Sequence, residues 1–596
     1  GTSNFRAGVN AGNSITAGGN KNVTVGDEAG TAITTGDNNV AVGADALSSN
    51  TTADANTAVG FSALLANSTG DKCTAVGAYA LDANTTASDN TAVGWNSLSQ
   101  NTTGAHNTAV GKSAGEVVTT ADDNVFVGYR SGGATTTGHS NVAVGTDSLL
   151  TNVDGDGLTA IGFEALKTFE PSDGLRYTVA VGYQAGKACT AGGDNVFVGG
   201  QAGLAVTDGN NNVAIGKLAL STNLQGDRSV AVGHEALKVA NPSGDVDMHN
   251  VAVGYQAGVA VTTGINNTLI GALAGDALTD ADLNVAVGKG ALTTDTLGSN
   301  SVAIGFAALE AQNFTSATNT YNTAVGSGAG AAVTSGTQNT LIGGLAGDAT
   351  TTGEKNVVLG YDALSTNVAG DQIVAIGNEA AQLLNPSGNV DMNGVYIGYQ
   401  AGDEVTTGRH NTVIGALTAN AMTTGANNLL LGTTAGNSSQ PGGEITTGSS
   451  QIVLGNASST NAHIQIDWTV VSDERDKTDF TALDLGLDFV KELEPVTYKW
   501  DKRAKYGDDI STVTHDGTHK EDWLDVGFKA QAVEALEEAA GYTIADKTNL
   551  TTNLTDDGKQ YGLQYSKFVP ILVKALQELS EKNDALESRL AALEAK

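Results

Sequence analysis

Hydrophobic and polar residues repeat along most of this chain with a period of about 17 residues. A pentapeptide of the form Asn-(Thr/Val)-Ala-Val-Gly recurs 25 times, with its glycine running from Gly26 to Gly455. Most intervals have this length, and a few are slightly longer. The residue before the glycine is always Val, Ile or Leu, and the third residue after it is always Ala, Ser or Thr. This period is too short for a helix pair and predicts one coil of a parallel β-solenoid.

Each predicted strand is apolar on both faces. In Val-Ala-Val-Gly the two valines face one way, and the alanine and glycine face the other way. A strand without a polar face is buried on both faces. We therefore expect the valines to fill the core of the coil and the small face to pack against neighbouring chains. A thick monomeric solenoid is the alternative that this pattern leaves open.

Two columns of the repeat and one longer period carry further information. The glycine that ends each pentapeptide predicts a corner where φ is positive or two backbones approach closely. The asparagine that opens it, present in 17 coils, predicts a ladder of stacked amide side chains. From Gly115 to Leu364 the fourth residue after each corner runs Gly, Gly, Leu, Leu, which gives a super-repeat of about 72 residues. A duplicated block of four coils explains this period.

Composition and charge narrow the classes of function. The chain has 77 Gly in 596 residues without a triplet period, which excludes collagen, and only 5% aromatic residues. The net charge of −34 argues against a nucleic-acid partner, because that affinity comes mainly from Lys and Arg. No apolar run approaches the length that a membrane-spanning helix needs, so membrane insertion is not expected. Cys73 and Cys189 lie at different phases of the repeat and predict neither a disulfide nor a metal site.

The repetitive part of the chain, residues 1–455, which we call the shaft, offers no clear ligand site. The Asp-rich turns 154–156 and 245–247 lack the spacing of a calcium loop, so no metal or cofactor is predicted. Nine corners are followed by an aromatic residue, which fits either a platform for sugars or a seam between subunits. These residues are Phe61, Trp95, Tyr129, Phe163, Tyr183, Tyr255, Phe306, Tyr361 and Tyr399. The receptor-binding residues stay unassigned.

A different sequence follows the last repeat. Its five ordered motifs are SDERDK at 472–477, LGLDF at 485–489, LEPVTYKW at 493–500, GFKAQ at 527–531 and YSKFVP at 565–570. In order and spacing they resemble the intramolecular chaperone domain at the end of phage endosialidases, tail spikes and neck appendages. The resemblance implies that residues 472–596 form a domain that trimerises, guides folding of the preceding fibre and then releases itself. Residues 456–471 would link the shaft to the cleavage site.

The same resemblance implies self-cleavage between Val471 and Ser472. Ser472 Oγ would attack the carbonyl of Val471, with Lys477 as the general base, a role that lysine takes where burial lowers its pKa. Asp473 would orient the turn. The alternative is a polar loop in which Ser472 only caps a helix. Asp476 departs from the Leu or Ile that many family members carry, which bears on the efficiency of cleavage.

The end of the chain predicts a parallel coiled coil over about residues 568–594. Its seam has alternating spacings of four and three residues and is formed by Leu572, Leu576, Leu579, Asn583, Leu586, Leu590 and Leu593. The polar Asn583 would fix the register at a cost in stability. A helix packed on its own globular domain is the alternative. A coil that joins three chains first would lower the entropic barrier to a non-local β-fibre.

The repetitive part resembles the heads of trimeric autotransporter adhesins and, more closely, phage tail-fibre shafts with NVAVGYQAG-type repeats, as at 250–258. The fold expected is mostly β: a trimeric solenoid shaft over residues 1–455, then a small α+β chaperone domain. The function expected is a structural and receptor-binding phage tail fibre, located in the virion tail or outside the cell. Its partners would be two further copies, a host surface glycan or protein, and the baseplate or tail through a missing N-terminal region. A bacterial surface adhesin and a polysaccharide-binding or polysaccharide-degrading tail spike are the alternatives.

Overall fold

The computed structural model describes residues 2–16, 18–170, 176–438, 440, 443–465, 469–506, 513–555 and 557–596. The chain divides into two compact units, Gly1–Gly344 and Leu345–Lys596. Both units contain coils of a parallel β-solenoid, which confirms the predicted mostly-β fold class. None of the helices in the described part of the chain has the length and apolarity needed to cross a membrane.

The first unit is a ladder of short parallel strands, one for each coil. Register follows the repeat, so that Val23–Val25 pairs with Val40–Val42. Strands β1 to β24 are Phe5–Ala7, Val23–Val25, Val40–Val42, Thr57–Val59, Thr74–Val76, Thr91–Val93, Thr108–Val110, Val125–Val127, Val142–Val144, Thr159–Ile161, Val179–Val181, Val196–Val198, Val213–Ile215, Gly226–Asp227, Val230–Val232, Val246–Asp247, Val251–Val253, Thr268–Ile270, Val285–Val287, Gly298–Ser299, Val302–Ile304, Thr318–Asn319, Thr323–Val325 and Thr340–Ile342. The short strands β14 and β16 pair with each other in longer coils, as do β20 and β22.

The second unit holds further coils and then the C-terminal region, residues 472–596. Strands β25 to β30 of its coils are Val357–Leu359, Gly370–Ile376, Val390–Ile397, Thr412–Ile414, Leu429–Leu431 and Ile452–Leu454. The C-terminal region contains α1 Leu487–Glu492, β31 Val496–Tyr498, β32 Asp525–Gly527, α2 Ala530–Ala539, β33 Thr552–Leu554, β34 Tyr561–Leu563 and α3 Phe568–Glu594. Strand β31 pairs antiparallel with β32, and β33 pairs antiparallel with β34. Among its described residues this region also has 3-10 turns at Glu474–Asp476, Arg503–Lys505 and Tyr565–Lys567.

The two faces of the strands are the reverse of the prediction. In β3 the middle residue Ala41 is fully buried in the coil, whereas Val40 and Val42 lie on the outer face and are only partly covered. The same pattern holds along the ladder, and Val76 and Val110 are each 37% exposed. A coil this short leaves little interior, so the inward position is alanine in most coils. The branched residues therefore form an outward stripe.

The super-repeat is explained by packing inside the coil. The ring of Phe126 takes the middle position of β8, and a Cβ added to Gly132 would lie 2.4 Å from that ring. A Cβ on Gly115, in the preceding coil, would lie 2.8 Å from the same ring. Where the middle residues of a coil and of the next coil are both alanine, the fourth residue after the corner is leucine, as in the fully buried pair Ala41 and Leu47. Since the volume of the core is fixed, bulk at one position requires glycine at the other.

The asparagine column forms a ladder, but its hydrogen bonds are not the predicted ones between stacked amide side chains. The Oδ1 of Asn22 accepts from the backbone amide of Asn39 at 2.9 Å, and the Oδ1 of Asn39 accepts from the amide of Asn56 at 2.9 Å. The side-chain amide of Asn39 donates to a carbonyl 14 residues further along at 2.9 Å. This column thus joins side chains mainly to backbone. A second column, not predicted, has direct amide contacts, as where Asn84 Nδ2 donates to Asn67 Oδ1 at 2.8 Å.

Substituting a corner glycine is expected to destabilise the solenoid strongly. Gly162 has a φ of +136°, and an added Cβ would lie 2.2 Å from the carbonyl oxygen of Gly182 in the next coil. Because the backbone cannot yield there, Gly162→Ala should cost about 3 kcal/mol or more in urea unfolding followed by circular dichroism. Gly200→Ala is the matched control, since nothing lies within 4 Å of its Cβ position. Equal stability of the two variants would contradict the role of the corners.

Candidate functional site

A tight turn begins immediately after the predicted scissile bond. Asp473 caps the 3-10 turn Glu474–Asp476, with its Oδ1 accepting from the backbone amide of Arg475 at 2.9 Å. The amide of Lys477 closes the turn by donating to the carbonyl of Glu474 at 3.1 Å. An acidic side chain at this position suits the exposed amides that begin a helical turn. The cap therefore fixes where the lysine stands relative to the start of the turn.

The structure brings two of the predicted catalytic side chains together. Lys477 Nζ donates to Ser472 Oγ at 2.5 Å and to the Ser472 carbonyl oxygen at 3.3 Å. Both residues are exposed, and the side chain of Val471, which provides the carbonyl to be attacked, is 82% exposed. The carboxylate of Asp473 accepts its hydrogen bonds from the backbone and side chain of Arg475, and its role in orienting the turn stays a prediction.

Arg475 is a member of this site that the sequence analysis did not assign. Its Nε donates to Asp473 Oδ1 at 3.0 Å, and its Nη2 donates to Asp473 Oδ2 at 2.6 Å. These side-chain bonds, and then the backbone amide of Arg475, hold the pKa of the Asp473 carboxyl below its ordinary value. The sequence signal for this contact was the pair of opposite charges two residues apart, Asp473 and Arg475, in the SDERDK motif. Arg475 thus fixes the capping carboxylate, and through it the turn.

The pair meets the distance requirement of a Ser–Lys dyad, but a single chain does not shield it from water. A nucleophilic serine needs a base within hydrogen-bond reach, and 2.5 Å satisfies this. A lysine takes a proton only as the neutral amine, which generally requires removal from water. On a single chain the pair is exposed to solvent. The chain alone therefore supplies the arrangement but not the dry surroundings.

The predicted trimerisation residues lie on one open face of helix α3. An adjoining face of its first part is buried through Phe568, Ile571 and Ala575, and the helix packs against α1. Glu578 Oε2 accepts from the Leu487 amide at 2.7 Å, at the start of α1. Asn583 is also exposed. The exposed fractions of the seam leucines are Leu572 49%, Leu576 67%, Leu579 50%, Leu586 61%, Leu590 58% and Leu593 68%.

One family of known proteins resembles the C-terminal region. Residues 472–542 match the family model described as the chaperone of endosialidase, and the match begins at Ser472. It spans the capped turn, α1, β31, β32 and α2, which is a minor part of the chain. No curated protein and no solved structure matches the chain. With the solenoid, the match indicates a protein of the tail-spike or tail-fibre type with an endosialidase-type chaperone region at its C-terminus.

Proposed function

We propose that this chain is one subunit of a trimeric phage tail fibre whose C-terminal region directs assembly and then cuts itself off. The observation that carries the proposal is the coincidence of three features at one residue. The family match begins at Ser472, the capped turn follows it, and Lys477 Nζ lies 2.5 Å from its hydroxyl. A polar loop that only caps a helix has no need for this lysine contact.

The open seam of α3 supports three chains in one particle. Six leucines that are 49% to 68% exposed form one stripe along this helix. Such a stripe is stable in water when other copies cover it, in the manner of a coiled coil. The outward valines of the solenoid offer a second apolar surface in the same chain. Chains joined first at the helix would bring the solenoids together in register.

The proposed cleavage balances without a cofactor. Lys477, as a neutral amine, takes the proton of Ser472 Oγ while this oxygen attacks the carbonyl carbon of Val471. The bond between that carbon and the Ser472 nitrogen breaks, the nitrogen takes the proton from the lysine, and an ester remains. Water hydrolyses the ester to a carboxylate on Val471 and a free hydroxyl on Ser472. Each chain reacts once, so the region is an autoprotease rather than a turnover enzyme.

Assembly would complete the site. The dyad is exposed on one chain, and neighbouring copies would cover it and exclude water before it reacts. Cleavage would then follow trimerisation, and the chaperone region would leave only a finished fibre. The fibre would act in the virion tail or outside the cell and bind a host surface receptor through the shaft. The nine corner aromatics, between 42% and 59% exposed, are available there for contact with a receptor or a neighbouring chain.

Native mass spectrometry of the purified Ser472→Ala chain tests the proposal. A particle of three times the 60.0 kDa of one chain is expected, because the helix seam and the shaft both need partners. The wild-type protein should give a smaller trimer that lacks residues 472–596. A single 60.0 kDa species for the Ser472→Ala chain at micromolar concentration would contradict the proposed fibre.

A further inference from the structure

The C-terminal region contacts the last coil of the solenoid through main-chain atoms of that coil. We call residues 443–459 the terminal coil. Lys502 Nζ donates to the carbonyl oxygens of Ala457 at 2.9 Å and Ser459 at 3.4 Å. On the other side, Asp557 Oδ2 accepts from the backbone amide of Glu444 at 3.2 Å. In these three hydrogen bonds a charged side chain of the C-terminal region meets the backbone of the terminal coil.

Lys502 is held in place by a buried carboxylate. Glu521 is only 9% exposed, and its Oε1 lies 4.0 Å from Lys502 Nζ and 3.8 Å from Lys505 Nζ. Neither oxygen of Glu521 has a hydrogen-bond partner among the described residues. A buried carboxylate is costly without nearby positive charge, so the two lysines are drawn to it. The ammonium group of Lys502 thus stands between the buried acid and the two carbonyls.

Hydrogen bonds also fix the carboxylate of Asp557, which lies in the loop between β33 and β34. Its Oδ1 accepts from Thr555 Oγ1 and, at 3.1 Å, from the Lys559 amide. Burial raises the pKa of Asp557, but the hydrogen bonds from Thr555, Lys559 and Glu444 outweigh it and lower the pKa. The approach to the terminal coil is close, because a Cβ on Gly443 would lie 2.7 Å from Thr555 Cβ. The carboxylate is therefore ionised and aimed at the coil.

The hairpin that carries Asp557 is itself fastened to helix α2. Glu537 of α2 is fully buried, and its Oε1 accepts from the amide of Thr551 at 2.5 Å and from the hydroxyl of Thr551 at 2.7 Å. Its Oε2 accepts from the hydroxyl and, at 3.3 Å, from the amide of Thr552. Four hydrogen bonds on one carboxylate fix the start of β33. The two contacts with the terminal coil therefore come from anchored elements.

We infer that Lys502 and Asp557 form a docking surface that recognises the folded main chain of the terminal coil. A cation opposite two carbonyls and a carboxylate opposite an amide make charge-assisted hydrogen bonds, which are stronger than neutral ones. Backbone groups at 444, 457 and 459 come together only when the coil has folded. The surface therefore responds to the conformation of the coil, because these hydrogen bonds involve no side chain at the three positions. Its purpose rests on the proposed chaperone role, but the contact exists whether or not the chain cleaves itself.

Hydrogen exchange of the full-length Ser472→Ala chain tests this docking surface. Lys502→Met and Asp557→Ala are each expected to speed exchange in peptides covering residues 443–459 about tenfold, while coils of the first unit stay unchanged. Lys520→Met, at an exposed lysine, is the matched control and should leave exchange unaltered. Unchanged exchange at 443–459 in both variants would overturn the inference. Since every chain carries Ser472→Ala, a failure of self-cleavage in the wild type would not produce this result.

A matched pair at residue 444 separates backbone from side-chain recognition. Glu444→Ala keeps the amide that donates to Asp557, so protection of residues 445–459 should persist. Glu444→Pro removes that amide and should speed exchange as much as Asp557→Ala does. Equal loss of protection in Glu444→Ala and Glu444→Pro would show that the side chain is recognised, against the inference.

Discussion

Replacing Ser472 by alanine is expected to leave the chain in one piece, whereas the wild type separates into two fragments on a denaturing gel. The smaller wild-type fragment should begin at Ser472 when its mass is measured. Alanine lacks the hydroxyl oxygen that would attack the Val471 carbonyl. Lys477→Met keeps the length of the side chain but removes the base, and should slow cleavage by about a hundredfold or more.

Controls near the scissile bond make this result specific. Thr469→Ala removes an exposed hydroxyl three residues before Ser472 and should leave the rate of cleavage unchanged. Arg475→Ala is expected to slow cleavage less than Lys477→Met and without moving the cut, because Arg475 acts through the Asp473 cap. Fragmentation of the Ser472→Ala chain at the wild-type rate, or a cut elsewhere, would rule out the dyad.

The period of the repeat determined the ladder, but not which face of the strand lies inside. Register could be predicted because Val23, Val40 and their equivalents recur at the spacing of one coil. Orientation could not, because alternation gives two apolar faces and says nothing about the width of the interior. The inward orientation is visible only in the folded coil, where the ring of Phe126 packs against Gly132. The Gly, Gly, Leu, Leu order could be found in the sequence, but its cause, the size of the buried residue in the middle of the strand, could not.

In the candidate site, too, contacts within one motif could be predicted from the sequence, whereas contacts between distant segments could not. Ser472 and Lys477 belong to one short motif, so a resemblance was enough to single them out. Arg475 lies inside that motif but acts only through a cap that the three-dimensional turn creates. The contact of Lys502 with Ala457 joins residues 45 positions apart and has no motif in either segment. Contacts of this kind depend on how two folded elements meet, which residue spacing does not record.

Charge placed in the helix seam is expected to prevent assembly, and with it cleavage. Leu586→Glu together with Leu590→Glu would put two carboxylates from every chain into the seam, while each lost leucine removes roughly 1.5–3 kcal/mol of burial. Analytical ultracentrifugation should then find single chains of 60.0 kDa. Because lone chains leave the dyad in water, these chains should also remain uncleaved.

Ser588→Glu is the matched control for this experiment. It adds a carboxylate to the same turns of α3, but at a position outside the leucine stripe, so trimers and cleavage should both persist. Trimers in the double seam variant would refute the coil as the site of association. Rapid cleavage of its single chains would instead show that the dyad needs no neighbour, and that release is not tied to assembly.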